Sequence, residues 1–376
     1  MNVPKLRFKE FNDEWKNFSL SELVNFSKGN ILSKADLNDQ GIYPCILYGQ
    51  LYTKYTEVIR NVYARTNRND KNLIKSKYGD ILIPSSGETP IDISTASCIM
   101  LDNIILGGDI NILSPKNCDG RFLSYMINNN KRKEIAKVAQ GHSVVHLYND
   151  NLKKIYINIP QLNEQNKIAN TLELLDKKIE LQTKKIEDLK LFTKKTSINL
   201  INNITENLED VFVEEICKIQ TGKSNTQDKN ENGQYPFYIR SEDVTYSDKY
   251  IFDCEAVLTI GDGNIGKVYF YHNGKFDCHQ RVYVMNNFDK SILGKYFYYY
   301  FSNNFYKRAM SMSAKNTVDS VRMEMISKMK IRIPTIQEQQ LIINVLTNLD
   351  NKILFENNKL NLLIEFKKGL IQNMLV

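Results

Sequence analysis

Two stretches of the chain carry apolar residues at alternating spacings of four and three, the pattern of helices in a coiled coil. Seven of ten such positions are apolar between Ile168 and Leu200, and eight of ten between Ile342 and Met374. The pattern predicts two long helices, each with an apolar seam. The predicted seam residues are Ile168, Leu172, Leu175, Ile179, Gln182, Ile186 and Leu189 in the first helix, and Ile342, Leu346, Leu349, Ile353, Glu356, Leu360 and Leu363 in the second.

The two helices belong to an internal repeat. Residues 157–200 and 331–374 align without a gap at an offset of 174, and 17 of the 44 positions are identical. Pro160 and Pro334 stand just ahead of the helices, where a missing amide costs little. Two unrelated core helices would explain neither the length nor the shared register. We therefore predict two copies of one unit, each a globular domain followed by a long helix.

The arrangement of the helices follows from the segment that joins them. Domain termini usually lie close together, so a globular domain between the helices is expected to bring them together antiparallel. Gln182 and Glu356 occupy equivalent seam positions, where a buried polar residue costs stability but fixes the register. Helices of about 40 residues, at about 1.5 Å per residue, would form a spacer of about 60 Å.

Outside the helices, short apolar stretches separated by Gly and Asn turns predict strands, for example at 79–84, 255–260 and 266–272. GIYPCILYGQL (41–51) also resembles GQYPFYIRSED (233–243). The expected fold class is α+β, with two mixed α/β domains separated by an antiparallel coiled coil and related by a pseudo-twofold repeat. The predicted segments are domain 1 at 1–158, helix 1 at 159–205, domain 2 at 206–332 and helix 2 at 333–376.

Composition and charge narrow the function. The 376 residues are 42% hydrophobic and 25% charged, which is too apolar for a disordered chain. The sequence has no run of 18 apolar residues and no secretory signal at its start, so we expect a cytoplasmic protein that does not contact membranes. Six widely spaced cysteines without a CxxC pair indicate reduced thiols. The net charge of +7, concentrated in the first half of the chain, is compatible with nucleic-acid binding.

No catalytic or metal-binding motif is found. GDGNIGK (261–267) has the spacing of a phosphate-binding loop, but Val268 replaces the required Ser or Thr. The strand-like VYFYH then follows, where such a loop needs the N-terminus of a helix. The histidines lack the helical spacing of a zinc site. We therefore predict neither catalytic residues nor a metal site in this chain.

The remaining features favour DNA binding. Two domains held apart by a fixed spacer suit a target made of two half-sites. Several predicted turns carry side chains that can contact base edges, and the turns PSSGET (84–89) and GDGN (261–264) allow close approach of the backbone to phosphate. The predicted DNA-binding residues are Arg65, Asn67, Arg68, Ser85, Ser86, Lys223, Ser224, Asn225, Gln227 and Asn264.

The whole chain resembles the specificity (S, or HsdS) subunits of Type I restriction-modification enzymes. Its opening VPKLRFKEFNDEWKNFSLSEL and the stretch ILYGQLYTKY (46–55) are similar to segments of these subunits. The helix-entry motif I-x-I-P-x-x-x-E-Q occurs twice, at 157–165 and at 331–339. One departure is that the second recognition domain begins without the Trp that opens the first.

The resemblance implies a non-catalytic subunit with two target recognition domains, each recognising one half of a bipartite double-stranded DNA target. It implies that the coiled coil sets the half-site spacing and docks two modification (methyltransferase) subunits, with two restriction (translocase and nuclease) subunits completing a host-defence complex. It also implies that this chain binds no cofactor, and that S-adenosylmethionine, ATP and Mg²⁺ belong to the partner subunits.

Two alternative functions stay open at this point. One is a free-standing DNA-modifying enzyme, and the other is a coiled-coil scaffold without a nucleic-acid role. Four apolar helix residues also lie off the assigned seams. We expect them to contact either the modification subunits or the cores of their own globular domains. They are Leu181, Leu191, Leu354 and Ile364.

Overall fold

The computed structural model describes residues 3–141, 144–203, 210–312 and 320–375. The chain forms two compact units, which we call unit 1 (Met1–Thr183 with Lys359–Val376) and unit 2 (Lys184–Asn358). Each unit contains a globular domain together with a part of both long helices. The start of the second domain, predicted at residue 206, lies outside the described residues.

The globular part of unit 1 consists of short strands and short helices connected by tight turns. The strands are β1 (Lys16–Ser19), β2 (Val24–Lys28), β3 (Tyr43–Ile46), β4 (Val58–Ile59), β5 (Ala64–Thr66), β6 (Ile81–Pro84), β7 (Ser86–Gly87), β8 (Ser97–Ile99), β9 (Ile105–Leu106), β10 (Ile110–Pro115), β11 (Val145–His146) and β12 (Tyr156–Ile159). The helices are α1 (Leu20–Leu23), α2 (Tyr48–Thr53), α3 (Pro90–Ile93), α4 (Gly120–Met126), α5 (Arg132–Val138) and α6 (Asn149–Leu152).

A five-stranded sheet in the order β2-β10-β6-β8-β4 forms the centre of unit 1. Strand β6 is buried along its whole length. Because successive side chains in a strand point to opposite faces, Ile81 and Ile83 pack in the cluster that contains Trp15, while Leu82 packs on the other side with Leu51. Burial on both faces explains the uninterrupted apolar stretch from which this strand was predicted.

Unit 2 has a similar globular part built around a larger sheet, whose strands are in the order β14-β19-β17-β18-β15-β16. Its strands are β13 (Asp210–Phe212), β14 (Lys218–Thr221), β15 (Tyr235–Tyr238), β16 (Val244–Ser247), β17 (Phe252–Ile260), β18 (Tyr269–Cys278), β19 (Val282–Asn286) and β20 (Lys330–Arg332). Its helices are the short α8 (Val213–Ile216) and α10 (Met323–Ser327) and the 18-residue α9 (Gly294–Ser311).

The two long helices are α7 (Leu162–Asn202, 41 residues) and α11 (Ile336–Met374, 39 residues). Each begins two residues after Pro160 or Pro334. All fourteen predicted seam residues are buried or half-buried, including the polar pair Gln182 and Glu356. The seam positions thus lie on the less exposed side of each helix.

Within each unit the two helices run antiparallel. In unit 1, Ile168 and Leu172 share a core cluster with Ile371 and Met374, and further along α7 the Asp176 carboxylate pairs with Lys367 at 2.5 Å. In unit 2, Ile201 clusters with Ile342 and Leu346, and Lys185 pairs with Glu356 at 2.5 Å. As residue numbers rise along α7, the partner numbers on α11 fall. The predicted α+β class with an antiparallel coiled coil is confirmed.

The internal repeat extends to individual contacts. The Tyr125 hydroxyl donates to Asp176 in unit 1, and the Tyr299 hydroxyl donates to Asp350 in unit 2, both at the 174-residue offset. The strands of the GIYPC and GQYPF segments, β3 and β15, also correspond, since each pairs parallel with one strand and antiparallel with another. Among the described residues, no helix combines the length and apolar character needed to span a membrane.

Candidate nucleic-acid interface

Several turns of unit 2 are joined by backbone hydrogen bonds into one cluster, which we call the unit 2 loop cluster. It comprises residues 222–225, 239–241, 261–264 and 279–281. The Gln280 amide donates to the Ser224 carbonyl at 2.9 Å, and the Gly261 amide donates to the Arg281 carbonyl at 2.7 Å. The His279 amide donates to the Tyr238 carbonyl, which brings the turn after β15 into the same cluster.

At Gly222 the backbone of one turn passes very close to the backbone of another segment of the cluster. A Cβ atom at this position would lie 2.1 Å from the Cys278 carbonyl oxygen, which is far inside van der Waals contact. Only glycine allows the backbone to pass so close to another chain segment. The turn that carries Lys223 and Asn225 is therefore fixed beside the turn that carries Gln280 and Arg281.

Two arginines and one aspartate form the charged centre of the unit 2 loop cluster. Nη1 of Arg240 and Nη1 of Arg281 both donate to Asp262 Oδ2, at 3.1 Å and 2.9 Å. The arginine side chains remain 46% and 61% exposed, whereas the Asp262 side chain is 17% exposed. The carboxylate thus anchors two guanidinium groups whose outer edges face solvent.

The imidazole of His279 lies beneath this charged centre. Its Nδ1 accepts a hydrogen bond from the Arg281 amide at 3.1 Å, so the neutral ring carries its proton on Nε2. Burial, together with the positive charge of Arg240 and Arg281, lowers the pKa of His279, while Asp262 partly opposes the shift. The ring is therefore neutral at neutral pH and adds no positive charge to the cluster.

A cavity of about 180 Å³ lies beside Asp262 and Arg281. It is lined by Thr221, Gly261, Asp262, Gln280, Arg281, Tyr283, Ser320 and Val321. Among the described residues, no group of three His, Cys, Asp or Glu side chains is placed to hold a metal ion. The arrangement presents hydrogen-bond donors to a ligand.

Unit 1 has the same backbone framework with different side chains. The Ser85 amide donates to the Asp109 carbonyl at 2.7 Å, and the Ser85 carbonyl accepts from the Leu147 amide at 3.0 Å. In unit 2 the same two bonds link Gly261 to Arg281 and to Val321. By these backbone hydrogen bonds, the turns PSSGET and GDGN occupy corresponding positions in the two units.

This framework aligns the charged centre of unit 2 with uncharged or acidic residues of unit 1. Ser86 corresponds to Asp262, and Asp109 corresponds to Arg281. The Ile46 carbonyl accepts from the Gly107 amide, just as the Tyr238 carbonyl accepts from the His279 amide, so Ile46 corresponds to Tyr238. Two residues further along each chain segment, Tyr48 therefore corresponds to Arg240. The two units therefore share a backbone framework and differ in the side chains at these loop positions.

The predicted DNA-binding residues of unit 1 lie in two places. Arg65 and Asn67 are exposed at strand β5, where Arg65 donates to the Ile42 carbonyl at 3.1 Å. Arg68 forms ion pairs with Asp36 and Asp70. Two others are buried: Ser86 shares a 3.0 Å hydrogen bond with His146 Nδ1, and the Ser85 hydroxyl has no partner among the described residues.

In unit 2, the exposed predicted residues Lys223, Asn225 and Asn264 belong to the loop cluster, and exposed Gln227 follows it in the chain. Ser224 is buried instead and donates to the Asp277 carboxylate at 2.8 Å and 2.9 Å. Its hydroxyl stabilises the turn.

Three further residues of the loop cluster are exposed but were not among the predicted DNA-binding residues: Arg240, Gln280 and Arg281. Asp262 is 22 residues from Arg240 and 19 from Arg281, so no local pattern connects them.

The four off-seam helix residues are exposed. Leu181 and Leu354 are 56% and 60% exposed, and Leu191 and Ile364 are 53% and 47% exposed. This contradicts the alternative that they pack into the cores of their own domains. Phe192 and Phe366, at equivalent positions of the repeat, are also exposed.

Comparison with known proteins shows two copies of one domain in the chain. The family described as Type I restriction modification DNA specificity domain matches residues 12–191 and 205–365. The chain is 30% identical over 136 residues to the Type I restriction enzyme EcoDI specificity subunit of Escherichia coli, covering 36% of this chain and 29% of that protein. It is 23% identical over 258 residues to the putative type I specificity subunit S.MgeORF438P of Mycoplasma genitalium, covering 65% and 62%. The matched stretches span less than two thirds of either relative.

Solved structures show the same fold over nearly the full length. The crystal structure of the Type-I restriction-modification system S subunit from M. genitalium superposes with a TM-score of 0.69 at 18% identity, covering 100% of this chain and 99% of that chain. A chain from work on complex assembly and conformational transition of the type I R-M system superposes with a TM-score of 0.58 at 14% identity, covering 96% and 97%. At these identities the similarity concerns the fold.

Proposed function

This chain belongs to the Type I restriction modification DNA specificity domain family, and we propose that it is the DNA-recognition subunit of a restriction-modification complex. The observation that carries the proposal is the shared backbone framework with different side chains at equivalent loop positions, Ser86 and Asp109 against Asp262 and Arg281. Two domains of one fold with different contact residues suit a target whose two halves differ in sequence. Each domain then recognises one half of a bipartite double-stranded site.

DNA contact combines two kinds of interaction in this proposal. Exposed Lys and Arg side chains contact phosphates, which supplies a salt-sensitive part of the affinity. Loop side chains, including exposed Asn225 and Asn264, then contact base edges in the groove. The chain itself is non-catalytic, and S-adenosylmethionine, ATP and Mg²⁺ act in the partner subunits. A modification subunit flips the target adenine out of the duplex for methylation.

The exposed apolar residues of the long helices support the docking of partner subunits. Leu181 and Phe355, like Phe192 and Phe366, are exposed at positions 174 residues apart. A surface repeated in this way suits two copies of one partner, here two modification subunits. Two restriction subunits complete the complex, which acts on DNA in the cytoplasm.

The test is genome-wide mapping of adenine methylation by single-molecule sequencing, in cells expressing this chain with its modification subunit. We expect one bipartite motif that disappears when this chain is deleted. Exchange of residues 1–150 for the corresponding domain of another specificity subunit should then change one half of the motif. Persistence of the motif after deletion would contradict the proposal, and methyl transfer by the purified chain alone would favour an enzyme.

A further inference from the structure

We propose that Arg240 and Arg281, positioned by Asp262, contact guanine in the half-site recognised by unit 2. The inference rests on the proposed DNA-recognition function and names the residues and the base pair involved. It concerns the charged centre of the unit 2 loop cluster, where two guanidinium groups from separate turns meet one carboxylate oxygen.

Each arginine uses one nitrogen for this contact and keeps the others for a ligand. In both side chains Nη1 donates to Asp262 Oδ2. Within the described residues, Nε and Nη2 of either arginine have no protein acceptor. A guanidinium with two adjacent free N–H groups matches the O6 and N7 acceptors of guanine in the major groove.

The Asp262 carboxylate favours a base contact over a phosphate contact. A phosphate contact requires positive charge but little orientation, and a nearby carboxylate weakens it by repulsion. A base contact requires a defined plane, and an arginine already held by one hydrogen bond loses less conformational freedom on binding. The half-buried Asp262 carboxylate, which holds both exposed arginines, provides the defined orientation that a base contact requires.

Asp262 also carries an unsatisfied atom. Its Oδ1 is buried and has no hydrogen-bond partner among the described residues. Buried polar atoms are normally paired, and an exception at a turn that holds two exposed arginines indicates a position selected for something other than stability. The cavity of about 180 Å³ beside Asp262 and Arg281 leaves room for a polar base edge.

The arginine pair distinguishes unit 2 from unit 1. The corresponding framework positions of unit 1 carry Tyr48, Ser86 and Asp109, which provide no guanidinium group. We therefore expect that an arginine contacts the guanine of a G·C pair only in the half-site recognised by unit 2.

The experiment maps adenine methylation in cells that express the full chain with its modification subunit, for the unchanged protein and for Arg240→Ala and Arg281→Ala. The half-site of unit 2 is first identified by exchange of residues 1–150, which leaves that half unchanged. We expect each substitution to relax one G·C position of this half-site, with discrimination against other bases falling about tenfold to hundredfold. The other half-site should keep its sequence. Asp262→Asn should relax the same positions to a smaller extent, as expected of a positioning residue.

Lys223→Ala is the matched control, since Lys223 is exposed on the adjacent turn and has no carboxylate partner in the described structure. We expect it to reduce binding equally at all sites and to lower the salt dependence of affinity, without a change of motif. Thermal unfolding of the purified complexes shows whether each variant is folded. If an alanine variant does not accumulate, Arg281→Gln and Arg240→Gln test the same contact with less loss of packing.

Three results would overturn the inference. The first is a unit 2 half-site that contains no G·C pair. The second is a uniform loss of methylation with an unchanged motif, which would show that the arginines contact phosphates and not a base. The last is an unchanged motif with lower stability, which would make the cluster structural. If the unchanged protein itself specifies no motif, the proposed DNA-recognition function fails instead.

Discussion

At the scale of single residues, Gln339 fixes the entry of α11. It is fully buried, its Nε2 donates to the Pro334 and Ser291 carbonyls, and its Oε1 accepts from the Leu293 amide. We expect Gln339→Leu to lower the free energy of unfolding by about 2–4 kcal/mol, because several buried polar groups lose their partners. Urea denaturation followed by circular dichroism measures the change.

Gln337, which is exposed in the first turn of the same helix, provides the control. Gln337→Leu should change the free energy of unfolding by no more than about 0.5 kcal/mol. Equal effects of the two substitutions would show that the amide contacts of Gln339 do not stabilise the helix entry.

Two glycines are expected to respond in opposite directions to substitution by alanine. Gly222→Ala places a Cβ atom 2.1 Å from the Cys278 carbonyl oxygen and should destabilise the fold. Gly369 lies inside α11, where an added Cβ atom would meet no neighbouring side chain or segment within 4 Å, so Gly369→Ala should stabilise the chain by about 0.5–1 kcal/mol. Thermal unfolding of both variants checks the pair, and a destabilised Gly369→Ala would contradict the expectation.

The candidate site was only partly predictable at the residue scale. Lys223, Asn225 and Asn264 were predicted because polar residues beside glycine indicate an exposed turn, and they are exposed. Arg240 and Arg281 were missed because their shared acceptor is distant in the chain and becomes a neighbour only through folding. Ser224 lies in the same kind of turn but donates to buried Asp277, a partner that composition does not indicate.

At the scale of elements, the long helices were predictable because their period repeats over many turns. Strands of only two residues, such as β4, β7 and β9, are too short to show a period of two. The strand predicted at 266–272 instead spans Tyr269–Cys278. Gly266 lies in a turn with φ of +64°, and Asn273, Gly274 and Lys275 continue the pairing with β17. Tertiary pairing overrides local polarity there.

The outer faces of the long helices carry the next prediction. Leu181→Glu and Ile364→Glu place charges at exposed apolar positions, so the fold should be retained while docking of the modification subunits weakens. Size-exclusion chromatography with light scattering measures the assembly. Thr183→Glu, at an exposed polar position on α7, should assemble normally. Intact assembly of the leucine and isoleucine variants would remove these residues from the proposed docking surface.

At the scale of the whole molecule, the repeat supports the proposal that one chain carries two recognition specificities. The helix-entry contacts are the same in both copies, as the Gln165 amide donates to the Pro160 carbonyl and the Gln339 amide donates to the Pro334 carbonyl. The loop clusters differ, with Ser86 in one copy and Asp262 in the other. Differences between the half-sites can therefore arise in the loops without changes at the helix entries.

The proposed role of the helices as a spacer yields a prediction about the length of the target. Insertion of four residues beside the exposed Glu187 lengthens α7 by about 6 Å, close to two base-pair steps of about 3.4 Å. We expect methylation mapping to show the same two half-sequences separated by one or two additional base pairs. The substitution Glu187→Ala changes the side chain without changing the length and should leave the spacing as it was. An unchanged spacing after the insertion would mean that the target length is set within the globular domains, because the helix would then have grown without moving the contacts with DNA.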